Sequence, residues 1–126
     1  SAHTSPETLA VSDPRAGSSH HQLGQAGGKL QQGVLAARGD DLSSLLGVPR
    51  PTMLKLDIDG LEVAAVDGLR VTLGESTLRS VMIEVEEGKS EEQVHEACEG
   101  AGFTRMPNPL TQRIGGVFNA LYARRM

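Results

Sequence analysis

Thr52-Met53-Leu54-Lys55-Leu56-Asp57-Ile58-Asp59 is the stretch on which the fold turns. Its apolar residues Met53, Leu54, Leu56 and Ile58 suit a buried β-strand, and Gly60 breaks it. Alternation places Lys55, Asp57 and Asp59 on one face and Leu54, Leu56 and Ile58 on the other. Downstream, residues 61–73 read as one helix, weakened at Gly68 by about 1 kcal/mol relative to Ala. Residues 80–86, SVMIEVE, make a second strand. Ser90 opens a further helix, with Gln93 three residues on completing a capping box. That helix runs through Val94, Ala97 and Cys98 and stops near Gly100 and Gly102. Residues 103–106 read as an edge strand, 107–116 as a Pro- and Gly-rich loop and 117–123 as a closing strand. This alternation predicts an α/β layered fold, its sheet mostly parallel with helices on both faces, and a central core over residues 52–106.

Upstream the signals thin out. Residues 1–8 are polar and read as frayed, and residues 9–11 as the tail of a strand that turns at Ser12-Asp13-Pro14. Residues 15–33 hold five glycines with no period and read as one long loop. Residues 34–37 suit a minor strand. Asp40 or Asp41 is the expected cap of a short helix over residues 42–46, ended by Gly47.

A chain of 126 residues makes one domain. Its net charge of −4 disfavours nucleic acid as a partner, because phosphate binding needs clustered Lys and Arg. Arg113, Arg124 and Arg125 crowd the end and read as a solvated terminus. No apolar run approaches the roughly 18 residues that span a bilayer, so no membrane partner is expected. A single cysteine, Cys98, excludes an internal disulfide and a multi-cysteine zinc site and points to a reducing, cytoplasmic setting. On its helix, without a basic activator, it reads as a packed thiol. His3, His20, His21 and His95 show no metal-ligand spacing, and no metal is expected.

In parallel α/β sheets ligands sit beyond the carboxyl ends of the strands. Three such tips are acidic here: Asp13, the pair Asp57 and Asp59, and Glu84 with Glu86. With neighbouring strands about 4.8 Å apart, Asp57 and Glu84 face one crevice if their strands are adjacent. Clustered carboxylates hold a cation, share a proton or stabilise a cationic ligand. The structural alternatives are a Lys55–Asp57 ion pair, a capping role for Asp59 and a helix-dipole role for Glu62.

The series LAVSD, a Gly-rich stretch, RGDDLSSLL, TMLKLDIDGLEVAAVDGL, SVMIEVE and a helix ending in AGF resembles the FkbM-type family of S-adenosylmethionine-dependent methyltransferases. The core of the resemblance is Lys55-Leu56-Asp57-Ile58-Asp59-Gly60-Leu61-Glu62, with Asp59 where the family more often has Glu. The resemblance implies a Rossmann-like class I sheet, S-adenosylmethionine as cofactor, and a hydroxyl on a small molecule or sugar as methyl acceptor. It implies that Asp13 lies near the adenine and that Asp57 faces the methyl donor and acts in catalysis. Lys55, Asp59, Glu62 and Glu84 match recurrent positions as substrate-binding or structural groups. The family's Gly-rich cofactor loop does not precede Leu9. Residues 1–126 are therefore expected to be one partial domain, the C-terminal portion of such an enzyme and inactive alone. A dimer, or a separate N-terminal half, would be its partner.

Two other readings remain. Asp57-Ile58-Asp59-Gly60 resembles the nucleophile loop of haloacid-dehalogenase-type phosphatases, although Leu61 replaces their Thr or Val and more than 50 residues precede the motif. A non-catalytic, truncated domain would act through its exposed sheet edge.

Overall fold

The computed structural model describes residues 5–11, 22–23 and 30–126. Asp13, like His3, His20 and His21, lies outside them. The elements in chain order are β1 (Ser5–Val11), β2 (Gln22–Leu23), β3 (Leu30–Ala36), α1 (Gly39–Leu46), β4 (Met53–Leu56), α2 (Glu62–Asp67), α3 (Arg70–Gly74), β5 (Ser80–Glu86), α4 (Glu91–Gly100), β6 (Phe103–Met106) and β7 (Val117–Arg124). The protein is a mixed α/β structure. Its strands form a three-stranded sheet in the order β2-β1-β3 and a four-stranded sheet in the order β4-β5-β7-β6.

The larger sheet is mixed rather than mostly parallel. β4 and β5 are parallel, whereas β7 runs antiparallel to both β5 and β6. β4, β5 and β6 therefore share one direction, and the last strand enters reversed between the second and third. The turn-rich stretch after Met106 causes the reversal by sending the chain straight back along β6 as a hairpin.

One face of this sheet carries the core. Val81, Ile83 and Val85 of β5 and Phe118, Ala120 and Tyr122 of β7 are buried with Val66, Leu69, Leu73, Val94 and Cys98 of the helical layer. Each fully buried aliphatic side chain contributes roughly 1.5–3 kcal/mol. The alternate residues Met82, Glu84, Asn119 and Leu121 stay only half-buried, and Met53 and Met106 are exposed. Helices on both faces were expected. Among the described residues the core gathers α2, α3 and α4 on one face. Handedness is the cause: β4-to-β5 and β5-to-β6 step the same way across the sheet, so right-handed crossovers put their helices on the same side.

Residues 61–73 are two helices, not one. The break falls at Gly68 and Leu69, where Leu69 turns into the core at 6% exposure. The break is held from outside. The Asp40 N–H donates to the Gly68 carbonyl at 3.0 Å, and a Cβ on Gly39 would overlap the Leu69 side chain. α1 starts at Gly39, so Asp40 lies in its first turn instead of capping it. Ser90 likewise makes no side-chain cap to α4; its Oγ accepts a hydrogen bond from the Glu86 N–H at 3.0 Å.

The N-terminal part is more ordered by pairing than its composition suggests. β1 pairs with β3 from Ser5 opposite Ala36 to Val11 opposite Leu30. Strand therefore replaces the expected fraying at residues 5–8, and β2 and the start of β3 fall in the expected long loop. Gln31, Gln32 and Gly33 are exposed, so the start of this strand carries no apolar signal of its own.

Arg124 is no solvated terminus. Its guanidinium donates to the carbonyls of Leu73, Glu75, Leu78 and Ala101 at 2.6–3.3 Å and lies 4.4 Å over the Phe103 ring. Arg125 donates to the carbonyls of Glu99 and Phe103, and Arg113 pairs with Glu87 at 3.0 Å.

Candidate functional site

β4 ends at Leu56, three residues earlier than the sequence pattern suggests, so Asp57 and Asp59 stand beyond the ladder. The chain then turns sharply. Asp59 has φ 41° and Gly60 φ 87°. The left-handed region costs a non-glycine residue energy, and Asp is among the residue types that tolerate it best. The Gly60 N–H donates at 2.8 Å to Oε1 of Glu62, which is only 6% exposed. Glu62 thus fastens the turn. Asp59 does not cap α2, whose N-cap is Leu61.

The parallel register sets Lys55 opposite Met82 and Leu56 opposite Ile83, so the next step brings Asp57 beside Glu84. Glu84 in turn lies opposite Asn119 of β7. Lys55 donates to Asp57 Oδ2 at 3.1 Å, both side chains being about half exposed. This matches the ion pair expected from the sequence. Burial first, then the charges of Asp57, Asp59 and Glu62, push the Glu84 carboxyl above its usual range; Lys55 pulls the other way.

A hollow of about 300 Å³ opens between the turn and the start of β7, lined by Asp59, Glu62, Glu84, Glu86 and Val117. Sequence-predicted Asp57, Asp59, Glu62 and Glu84 are thus brought close enough to act on one another electrostatically. Lys55 sits beside them, tied to Asp57. Among the described residues, no group of three or more His, Cys, Asp or Glu is placed to hold a metal ion.

A larger hollow of about 750 Å³ lies between α2, α3 and α4. It gathers less charge: Asp67 and Arg70 on its rim pair with each other at 2.8 Å, and Glu96 is its one other charged lining residue. The acidic hollow is the better chemical candidate because its neighbouring carboxylates lie close enough to raise the Glu84 carboxyl, as groups at functional sites often are.

Asn119 was missed by reading the sequence. Its side chain joins the Glu84 side of the sheet, and its Oδ1 is buried with no hydrogen-bond partner. The available signal was one amide inside the apolar run Val117-Phe118-Asn119-Ala120-Leu121. Cys98 is fully buried, and burial pushes its thiol up to about 11, as suits a packed thiol. His95 is half-buried, its ring 6.0 Å from Tyr122.

No helix among the described residues is long and apolar enough to cross a membrane. Comparison with family models, curated proteins and solved structures finds no match to this chain.

Proposed function

We propose that this chain is the C-terminal portion of an S-adenosylmethionine-dependent methyltransferase of FkbM type that methylates a hydroxyl on a small molecule or sugar. The observation that carries the reading is the convergence of Asp57, Asp59, Glu62 and Glu84 at the ends of two parallel strands, with Glu84 paying electrostatically for the arrangement. The sheet supports it as well. Three like-directed strands with a reversed last strand inserted between the second and third fit the C-terminal half of a Rossmann-like class I methyltransferase sheet.

The acids fit the implied cofactor in charge, because a sulfonium relieves repulsion that the isolated cluster must bear. S-adenosylmethionine, when bound, supplies an electrophilic methyl group. The chain's own residues would do the rest. Asp57 would orient the acceptor hydroxyl and take its proton. Lys55, bonded to Asp57 at 3.1 Å, would hold that carboxylate in place. Glu62 would keep the turn rigid, and Glu84 would supply field. Holding acceptor and donor aligned accounts for most of the acceleration in such a transfer.

Equilibrium binding of S-adenosylmethionine and of S-adenosylhomocysteine to an assembly that transfers methyl groups tests the reading, because the chain alone is expected to lack the family's cofactor loop. The cationic form should bind more tightly than the neutral thioether, and Glu84→Gln should narrow the gap at least about fivefold. In an assembly that transfers methyl groups, Asp57→Asn should abolish turnover. No preference between the two ligands, or full turnover by Asp57→Asn, would overturn it.

Among the described residues no strand pairs with the outer side of β4, and this favours a second reading, in which the domain acts by binding another polypeptide.

A further inference from the structure

Glu84 and Asn119 stand opposite each other on the sheet face away from the core. The Arg124 N–H donates to the Arg79 carbonyl and the Glu87 N–H to the Gly116 carbonyl, so the odd-numbered residues of β5 make the hydrogen-bonded pairs with β7. Glu84 and Asn119 are therefore a non-hydrogen-bonded pair, the kind in which Cα atoms approach to about 4.5 Å and side chains come closest. The loop after β6 fixes Asn119 from its other side. The Asn119 N–H donates to Thr111 Oγ1 at 2.9 Å, and its carbonyl accepts from Asn108 Nδ2 at 3.1 Å. Those two side chains serve the backbone, and Asn119 Oδ1 stays buried without a donor. Leaving a buried acceptor unpaired is costly. Its other neighbours on this face do not relieve it: Met82, Val117 and Leu121 have no polar side-chain hydrogen, and Glu86 pairs with Lys89 at 2.8 Å. Glu84 has a hydrogen to offer when its carboxyl is protonated.

Methylation of a hydroxyl forms one C–O bond, breaks one S–C bond and frees one proton, while the positive charge of the donor is lost. In the acidic hollow a cation vanishes as a proton appears, and the total charge is conserved when one carboxyl keeps that proton. We propose that Glu84 is the carboxyl that keeps it and that Asn119 is its positioning residue, Oδ1 of Asn119 accepting the hydrogen of neutral Glu84. The proton that Asp57 takes from the acceptor goes on to Glu84, its neighbour across a parallel pair whose strands lie about 4.8 Å apart. Asp57 is then an anion again. The neighbouring acids are less suited to hold the proton, because their bonds favour the charged form. Asp57 accepts from Lys55 at 3.1 Å, and Glu62 Oε1 from the Gly60 N–H at 2.8 Å. Glu84 accepts no such bond among the described residues. Burial, then the charges of Asp57, Asp59 and Glu62, favour its neutral form, with Lys55 opposing them.

The proposal rests on the methyl-transfer reading for the source of the proton, whereas the Glu84–Asn119 bond is read in the chain by itself. In a pH titration of the chain followed by carbon NMR, Glu84 Cδ and Asn119 Cγ should move together, with one midpoint above the ordinary 4.5. Asn119→Leu keeps the bulk and the burial but removes the acceptor, so it should lower the proton affinity of Glu84 at least about threefold. An Asn119 signal that stays flat while Glu84 titrates overturns the proposal. So does an Asn119→Leu protein whose Glu84 midpoint is unchanged or higher. The first readout needs only the unaltered chain and decides the matter if the variant does not fold. In an assembly that transfers methyl groups, calorimetry in two buffers of different ionisation heat counts the protons released on binding. At the Glu84 midpoint S-adenosylmethionine should expel protons and S-adenosylhomocysteine should not, and Glu84→Gln should abolish the difference. Equal proton counts for the two bound ligands overturn Glu84 as the destination of the proton while leaving methyl transfer standing. Failure of both ligands to bind strikes the methyl-transfer reading itself, and that destination with it.

Discussion

Asp40 Oδ1 accepts two hydrogen bonds from Thr72, one from its N–H and one from its hydroxyl, both at 2.8 Å. Oδ2 accepts a third, from the Val71 N–H at 3.0 Å. A residue at the start of one helix thus caps another more than thirty positions away, and supplies acceptors for the free N–H donors exposed by the break at Gly68. Burial alone would raise the Asp40 carboxyl; the bonds from Thr72 and Val71, with Arg38, outweigh it and hold the group below its ordinary 3.8. A depressed carboxylate contributes stability that is fully present above its unfolded value and disappears as pH falls through the folded one. Asp40→Ala should therefore cost about 2 kcal/mol at neutral pH and flatten the acid limb of the stability profile below about pH 4. Denaturant titration at several pH values checks both.

Glu84 makes the opposite prediction. Its folded value lies above the ordinary 4.5, so its ionisation opposes folding. The penalty is absent below pH 4.5 and grows as pH rises through the folded value. Glu84→Gln should leave stability unchanged in acid and raise the thermal midpoint at neutral pH. A fall in the midpoint at pH 7 would show that the charge serves the fold.

Arg124 should be among the costliest side chains to remove. Its planar fork satisfies four carbonyls at the ends of α3 and α4 and at the entry to β5, which Lys cannot match with a single ammonium. Arg124→Lys should lose about 1–2 kcal/mol and Arg124→Ala about 3 kcal/mol, read by chemical denaturation.

Cys98 should be silent in the native protein. With no exposure and a thiol pushed up to about 11, it should react with an aromatic disulfide at pH 8 at least about a hundredfold more slowly than in guanidinium. Rapid native labelling would show that α4 opens locally.

The parts of this fold legible in the sequence are those whose signal is local. β5 and β7 alternate faces, and β6 and α4 lie within a residue or two of their expected ends. The acids at Asp57, Asp59, Glu62 and Glu84 were visible because a strand followed by a glycine turn leaves them at one tip. What escaped depends on partners distant in sequence. The split of the second helix needs Gly39 and Asp40 to hold Leu69 and Gly68 in place. The β1–β3 pairing joins residues 19 to 31 positions apart, which no local pattern records. Arg124 looked like a terminal charge because the carbonyls that hold it lie 23 to 51 positions upstream. The gathering of α2, α3 and α4 on one face follows from crossover handedness, which composition does not record.

The reversed last strand imposes an order on assembly. While the chain emerges from the ribosome, β6 has no sheet neighbour until β7 follows it, because β7 is the spacer that joins β6 to β5. The nascent polypeptide must therefore carry an open slot flanked by Phe103 and Val85, and the slot closes only when the segment around Tyr122 arrives. Closure of this sheet consequently waits for β7, and a chain halted before Val117 would leave β6 without the strand that ties it to β5.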